Sequence, residues 1–216
     1  MSRFMRALVA ALMTALAAPT VTWTDAGADA GTDAYQSGNY AAARTAWEKA
    51  SYRDPYAAYN LGTLFETGKG GEADYKLAFK WYNEAARNAR GDQLKALKRK
   101  AVLALTRLVI KNRDHDFYAT ASMYMSTLAM KTGEPEALRM RGLLNEFMGD
   151  YSIENNIANA DNPMRFSWAL LRTAADRGSK RAAKEASRVW AKIEDKKSAK
   201  GFIKLVNDEL KRNGVK

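Results

Sequence analysis

The chain has no cysteine, a single histidine, His115, and four prolines in 216 residues. Without thiols, disulfides, thiolate nucleophiles, Cys-based zinc sites and a lipid-modified cysteine behind a leader are all excluded. Stability must therefore come from packing. With one imidazole, a catalytic triad would need a nucleophile from elsewhere, and no residue stands out for that role. β-branched aliphatic residues are also scarce, valine and isoleucine totalling 12, while Ala, Leu, Lys, Met and Glu abound. Those propensities favour helix over sheet, so the chain is expected to be all-α.

Arg3 and Arg6 precede an uncharged, alanine-rich run from Ala7 to Trp23 that Pro19 interrupts. Ala15 with Ala17, and Ala26 with Ala28, place small side chains at the two positions a signal peptidase reads. Residues 1–28 are thus expected to be a signal peptide, cut after Ala17 or Ala28, with a membrane anchor as the less favoured alternative. Export to the periplasm or the exterior follows as an expectation. Residues 29–216 are expected to form one domain, ending in a basic helical segment over 179–216.

The remaining prolines mark where helices begin. Asp54-Pro55, Glu134-Pro135 and Asn162-Pro163 each put proline where its missing N–H costs nothing, with a possible capping side chain before it in the Asp and Asn cases. Glycines 38, 68, 91, 133, 149 and 178 fall where left-handed helix stops are expected. Helices are predicted at about 40–51, 55–67, 75–89, 93–112, 117–131, 135–148, 164–177, 180–194 and 198–212. Links of a few residues make neighbours antiparallel. The polar stretch GDYSIENNIANADN, Gly149 to Asn162, is expected to be the longest internal loop.

A spacing of 35 residues relates Tyr40 to Tyr75, Ala43 to Ala78, Ala46-Trp47 to Trp81-Tyr82, and Ala50 to Ala85. Ser167, Leu170-Leu171 and Ala174-Ala175 form a weaker third copy. The preceding segments match as well, since YNLGTLFETG and MRGLLNEFMG each carry an internal glycine, Gly62 or Gly142. A mid-helix glycine costs about 1 kcal/mol relative to alanine. It is reasonable where a partner helix must approach closely, as successive hairpins of a stack require. Tyr59, Leu61, Gly62 and Phe65, with Ala78, Trp81, Tyr82 and Ala85, are the expected repeat-packing residues.

Ala58-Tyr59-Asn60-Leu61-Gly62, then Gly68, Gly70 and Gly71, then Asp74-Tyr75, Ala78, Trp81-Tyr82 and Ala85-Ala86, resemble one full unit of the Sel-one-like repeat family, relatives of the tetratricopeptide repeats. The resemblance is strongest over residues 57–91. It implies an α/α superhelical solenoid of antiparallel pairs, about eight or nine helices after the leader. It also implies an adaptor role, since family members include envelope proteins that regulate signalling complexes or exopolysaccharide production.

Catalytic and cofactor motifs are weak by comparison. The run Gly68-Lys69-Gly70-Gly71 follows a helix, lacks the earlier glycine of a phosphate-binding loop, and has no Ser or Thr after the lysine. Arg113-Asp114-His115-Asp116 supplies too few ligands for a metal, and Asp116 is expected to cap the next helix. The pairs Glu134/Glu136 and Asp208/Glu209, and Glu146 among apolar neighbours, could be drawn as hydrolase carboxylates, but surface acids at helix ends explain most of them. No catalytic residue, metal site or cofactor is expected. Trp47, Trp81, Tyr82, Trp168 and Trp190 are read as core.

Charge is distributed in blocks. Basic residues outnumber acidic ones nine to three over 90–131, acidic residues dominate six to two over 132–163, and basic residues lead fifteen to six over 164–216. Arg181, Lys184, Arg188 and Lys192 share a helix face, and Lys95 and Arg99 lie on the earlier basic helix, making these six the candidate anion or partner contacts. Lys196, Lys197, Lys200 and Lys204 extend the second block. The expected function is a non-catalytic exported scaffold that binds another protein or an extended peptide. The alternatives are a basic binder of anionic lipid or polysaccharide and, less favoured, an envelope polysaccharide-modifying hydrolase. Nucleic acid is not the partner expected of an exported chain.

Overall fold

The computed structural model describes residues 26–159 and 161–216. The features behind the leader expectation, Arg3, Arg6, the run Ala7 to Trp23 and cleavage after Ala17, lie outside the described residues. Ten α-helices follow: α1 Ala26–Gln36, α2 Tyr40–Ala50, α3 Pro55–Thr67, α4 Tyr75–Asn88, α5 Lys95–Asn112, α6 Tyr118–Thr132, α7 Pro135–Glu154, α8 Asp161–Asp176, α9 Lys180–Lys192 and α10 Lys196–Arg212. A single 3-10 turn, Asp92–Leu94, leads into α5. No strand occurs among the described residues. The architecture is an α/α repeat solenoid, as expected.

Side-chain caps set five of the ten helix starts. Asp54 accepts from the Tyr56 amide at 2.8 Å ahead of Pro55, and Asp74 accepts from Lys76 and Leu77 at the start of α4. Asn39, Ser179 and Asp195 do the same for α2, α9 and α10. Each side chain satisfies amides that the first helical turn leaves unpaired. The start of α6 departs from expectation: no side chain caps it, and Asp116 does not; Asp114 instead accepts from the Asp116 and Phe117 amides in the turn before the helix. Asp116 itself supplies one of those amides.

Two other expectations are corrected. Residues 26–36 form a helix, although AGADAGTDAYQ has too little apolar pattern to announce one. Gly149 does not stop α7, which runs on to Glu154, and α8 begins at Asp161, so the expected long loop shrinks to a link of a few residues. The reason is packing: a Cβ on Gly149 would lie 3.2 Å from the Met164 backbone nitrogen, so the glycine marks a helix crossing instead of a terminus. The other five glycines of that group, 38, 68, 91, 133 and 178, do have positive φ.

Each helix up to α9 packs on the next, and α1 on α3, α3 on α5 and α5 on α7, while side-chain ion pairs carry the row of odd-numbered helices on from α7 to α9. α8 is shared: it packs against α7, α9 and α10. Within three hairpins the contact is built alike. An added Cβ on Gly31 would strike the Trp47 indole at 2.3 Å, on Gly62 the Tyr82 ring at 2.8 Å, and on Gly142 the Leu171 side chain at 2.8 Å. Trp47, Tyr82 and Leu171 are the same position of the 35-residue pattern, and all three are buried. The small residues one turn earlier, Ala43, Ala78 and Ser167, are fully buried too. The α5/α6 hairpin, which has no glycine in its helices, is packed less extensively.

The interlock makes a sign prediction. Alanine is the better helix former, yet the atoms it would meet at position 62 are ring carbons of a tyrosine that is buried and tied by its hydroxyl to Glu66 at 2.7 Å. Gly62→Ala is expected to destabilise by about 1–3 kcal/mol, and Gly62→Leu by more. Thermal and urea unfolding followed by circular dichroism checks this, and a neutral Gly62→Leu would remove the interlock.

Candidate functional site

The glycine-lysine-glycine-glycine run is a docking turn. A Cβ on Gly70 would lie 2.4 Å from the Tyr40 carbonyl oxygen, so this turn presses directly on the backbone at the start of α2. Lys69 sits over the Tyr40 ring, 4.8 Å from its centre, and donates to the Tyr35 hydroxyl at 3.4 Å. The lysine thus joins the first hairpin to the second.

His115 is stacked on Phe147 and packs at a tilt against Tyr151, with ring centres 4.4 and 3.9 Å away. Trp47, Trp81 and Tyr82 are buried; Trp168 and Trp190 are half-buried and lie 4.4 Å apart, ring centre to ring centre. Of the repeat-packing set, Leu61, Gly62, Phe65, Ala78, Trp81, Tyr82 and Ala85 are buried and Tyr59 is half-buried. Burial also pushes the Tyr82 phenol up from its ordinary range, and the hydrogen bond to Glu66 adds to that.

Along the row of odd helices the charge blocks meet. Glu66 on α3 accepts from Arg107 on α5 through both oxygens, at 2.9 and 3.0 Å. Glu134, just before α7, pairs with Arg99 on α5. On α7, Glu136 takes two hydrogen bonds from Arg139, whose third nitrogen reaches Glu185 on α9 at 2.7 Å. Glu146, only 4% exposed, accepts from Arg188 at 2.7 Å and Lys192 at 3.0 Å, both on α9, and Lys192 also reaches Asp150 at 2.9 Å. The acidic α7 therefore serves as counter-charge for the basic helices beside it. Burial by itself would lower the Lys192 ammonium, but its bonds to Asp150 and Glu146 outweigh that and raise it.

The six candidate cations thus separate into two groups. Arg188, Lys192, Arg99 and Lys95 hold partners within the chain, Lys95 through Asp92. Arg181 and Lys184 form no ion pair with a described residue, and Arg181 stands at the edge of a groove. That groove, about 420 Å³, lies between α5, α7 and α9. Leu103 and Ile110 of α5 face Met140 and Leu143 of α7 across it, with Arg107 and Lys111 along one side and Glu136 and Arg139 along the other. Sequence reasoning missed it because its walls come from helices far apart in the chain. The helical spacing of Leu103, Arg107, Ile110 and Lys111 on one face of α5 was the available signal.

Stacked antiparallel hairpins with a repeated small-against-large contact define a helical repeat protein. The Sel1 repeat model matches residues 55–89, the hairpin α3/α4, so the chain carries a Sel1-like repeat there. Sel1 repeats generally mediate protein–protein interactions and are typically non-catalytic. Comparison with curated proteins returns no match.

Two predictions follow from the ion pairs. Glu146→Gln leaves two cations without their buried partner and is expected to cost about 1–2 kcal/mol, discounted because both cations are partly exposed. Chemical denaturation measures it, and an unchanged midpoint would mean the pairs contribute nothing. Hydrogen bonds from Arg139 hold Glu136 below its usual range, although burial opposes them. Its contribution is present above the unfolded carboxyl value, about pH 4.3, and is lost as pH falls through the folded value. Glu185 is pushed up by burial and works in the opposite sense, so its ionisation weakens the fold. Glu136→Gln is expected to lower the melting temperature at pH 7 and to have little effect at pH 3, whereas Glu185→Gln should cost less at pH 7.

Proposed function

We infer that the chain is an exported, non-catalytic scaffold that holds a segment of another protein across its row of odd helices, in the service of an envelope signalling or exopolysaccharide system. The observation that carries this reading is the groove between α5, α7 and α9, with four apolar side chains in its lining. Repeat stacks make such surfaces from local contacts alone, and the side chains lining them select the partner. Export rests on Arg3, Arg6 and the run from Ala7 to Trp23. Among the described residues no helix is long and apolar enough to cross a membrane.

The anionic-surface alternative is weakened because Arg188 and Lys192, two of its main cations, are engaged by Glu146 and Asp150. The carboxylates once available to a hydrolase are similarly occupied: Glu134 by Arg99, Glu136 by Arg139, and Glu146 by α9.

Site-specific photocrosslinking in the native envelope tests the scaffold reading. A photoreactive residue at position 143, in the groove, is expected to give a discrete protein adduct, while one at position 205, exposed on α10, should not. Equal adducts at both positions, or products with lipid or polysaccharide only, would overturn it. N-terminal sequencing of the same material checks export, with a start at residue 18 or 29 expected.

A further inference from the structure

We propose that the groove between α5, α7 and α9 selects an acidic amphipathic peptide segment, seating apolar side chains on Leu103, Ile110, Met140 and Leu143 and carboxylates on Lys111 and Arg181. This deepens the scaffold reading and rests on it.

The argument is one of charge accounting at the groove. The carboxylate in its lining, Glu136, is already taken, and the unpartnered oxygen of nearby Glu185, Oε2, is buried. Both Glu136 oxygens accept from Arg139, both Glu66 oxygens accept from Arg107, and Glu185 holds the remaining Arg139 nitrogen. Arg139 is therefore fully engaged. Lys111 and Arg181 have no hydrogen bond or ion pair with any described residue, although the Arg181 charge acts on the Glu136 carboxylate without reaching it. Arg107 is engaged by Glu66 yet remains more than half exposed. An arriving segment thus meets two uncompensated cations, a third that is accessible, and no uncompensated carboxylate at the surface.

The apolar lining fixes the rest of the chemistry. Leu103 and Ile110 lie two turns apart on α5, and Met140 and Leu143 about one turn apart on α7. The space between them takes a few aliphatic or aromatic side chains. A basic segment would be opposed by Lys111 and Arg181, while a purely acidic one would leave the apolar side chains wet. Apolar anchors flanked by Asp or Glu satisfy both demands.

Selection of a random 12-residue peptide display library on the purified chain provides the test, followed by fluorescence anisotropy with the recovered peptides. The expected result is enrichment of Leu, Ile, Phe or Met together with Asp or Glu. Binding should weaken about ten-fold or more both in Leu143→Asp and in the double variant Lys111→Glu/Arg181→Glu, with helicity unchanged. The two exposed cations can be reversed without touching the core, so loss of binding in the double variant is not a folding effect. Peptides that depend on Leu143 but tolerate the charge reversal would overturn the acidic preference and leave the scaffold reading standing. Peptides indifferent to Leu143, or no selected peptide, would overturn both. Self-association abolished by Leu143→Asp would make a second copy the occupant, and Leu143-dependent sedimentation with phosphatidylglycerol vesicles would make it a lipid; either result rejects the peptide.

Discussion

The close approach of paired helices at a glycine is the constraint on which the rest of this structure depends. Gly31, Gly62 and Gly142 each give up helix propensity so that Trp47, Tyr82 or Leu171 can lie against a bare backbone. That arrangement sets the depth to which each hairpin closes. Closure in turn sets the separation of successive odd helices, and hence the geometry in which Arg139 reaches Glu185 and Arg188 reaches Glu146. The groove between α5, α7 and α9 is a consequence of the same spacing. Where the helices lack a glycine, in α5 and α6, the hairpin is looser and α5 is buried on more than one side, Val102, Thr106 and Val109 as well as Leu97, Ala101, Leu105 and Leu108.

Charge plays a secondary but ordering part. Blocks of like charge along the chain become complementary when α7 stands between α5 and α9. Much of this pairing is half-exposed and contributes little to stability individually. Its value lies in matching neighbours: an acidic helix between two basic ones fits best in its own place in the stack. The buried Glu146 is the strictest member, because it would be left uncompensated in any other register.

Much of the fold was legible because its signals are local. Asp54 before Pro55, Asp74 before Tyr75 and the glycine stops act within a turn or two of the residues they organise, and the 35-residue spacing repeats the same burial pattern. Gly149 was misleading for a physical reason, since a glycine that ends a helix and one that admits a neighbour look alike until the neighbour, Met164, is placed. Helix α1 was illegible because its sequence is small and polar, and its order comes from packing on α2. The candidate cations were visible as charges, but their partners sit on other helices. Whether a lysine is free, like Lys111, or spoken for, like Lys192, is a property of the fold.

Each interlock closes inside one hairpin, between helices joined by a short link. The apolar core is continuous from one hairpin to the next, but the closest contacts lie inside hairpins. Under a pulling force applied at its ends, such a chain would yield between interlocked hairpins and give up its length piece by piece, rather than in a single rupture.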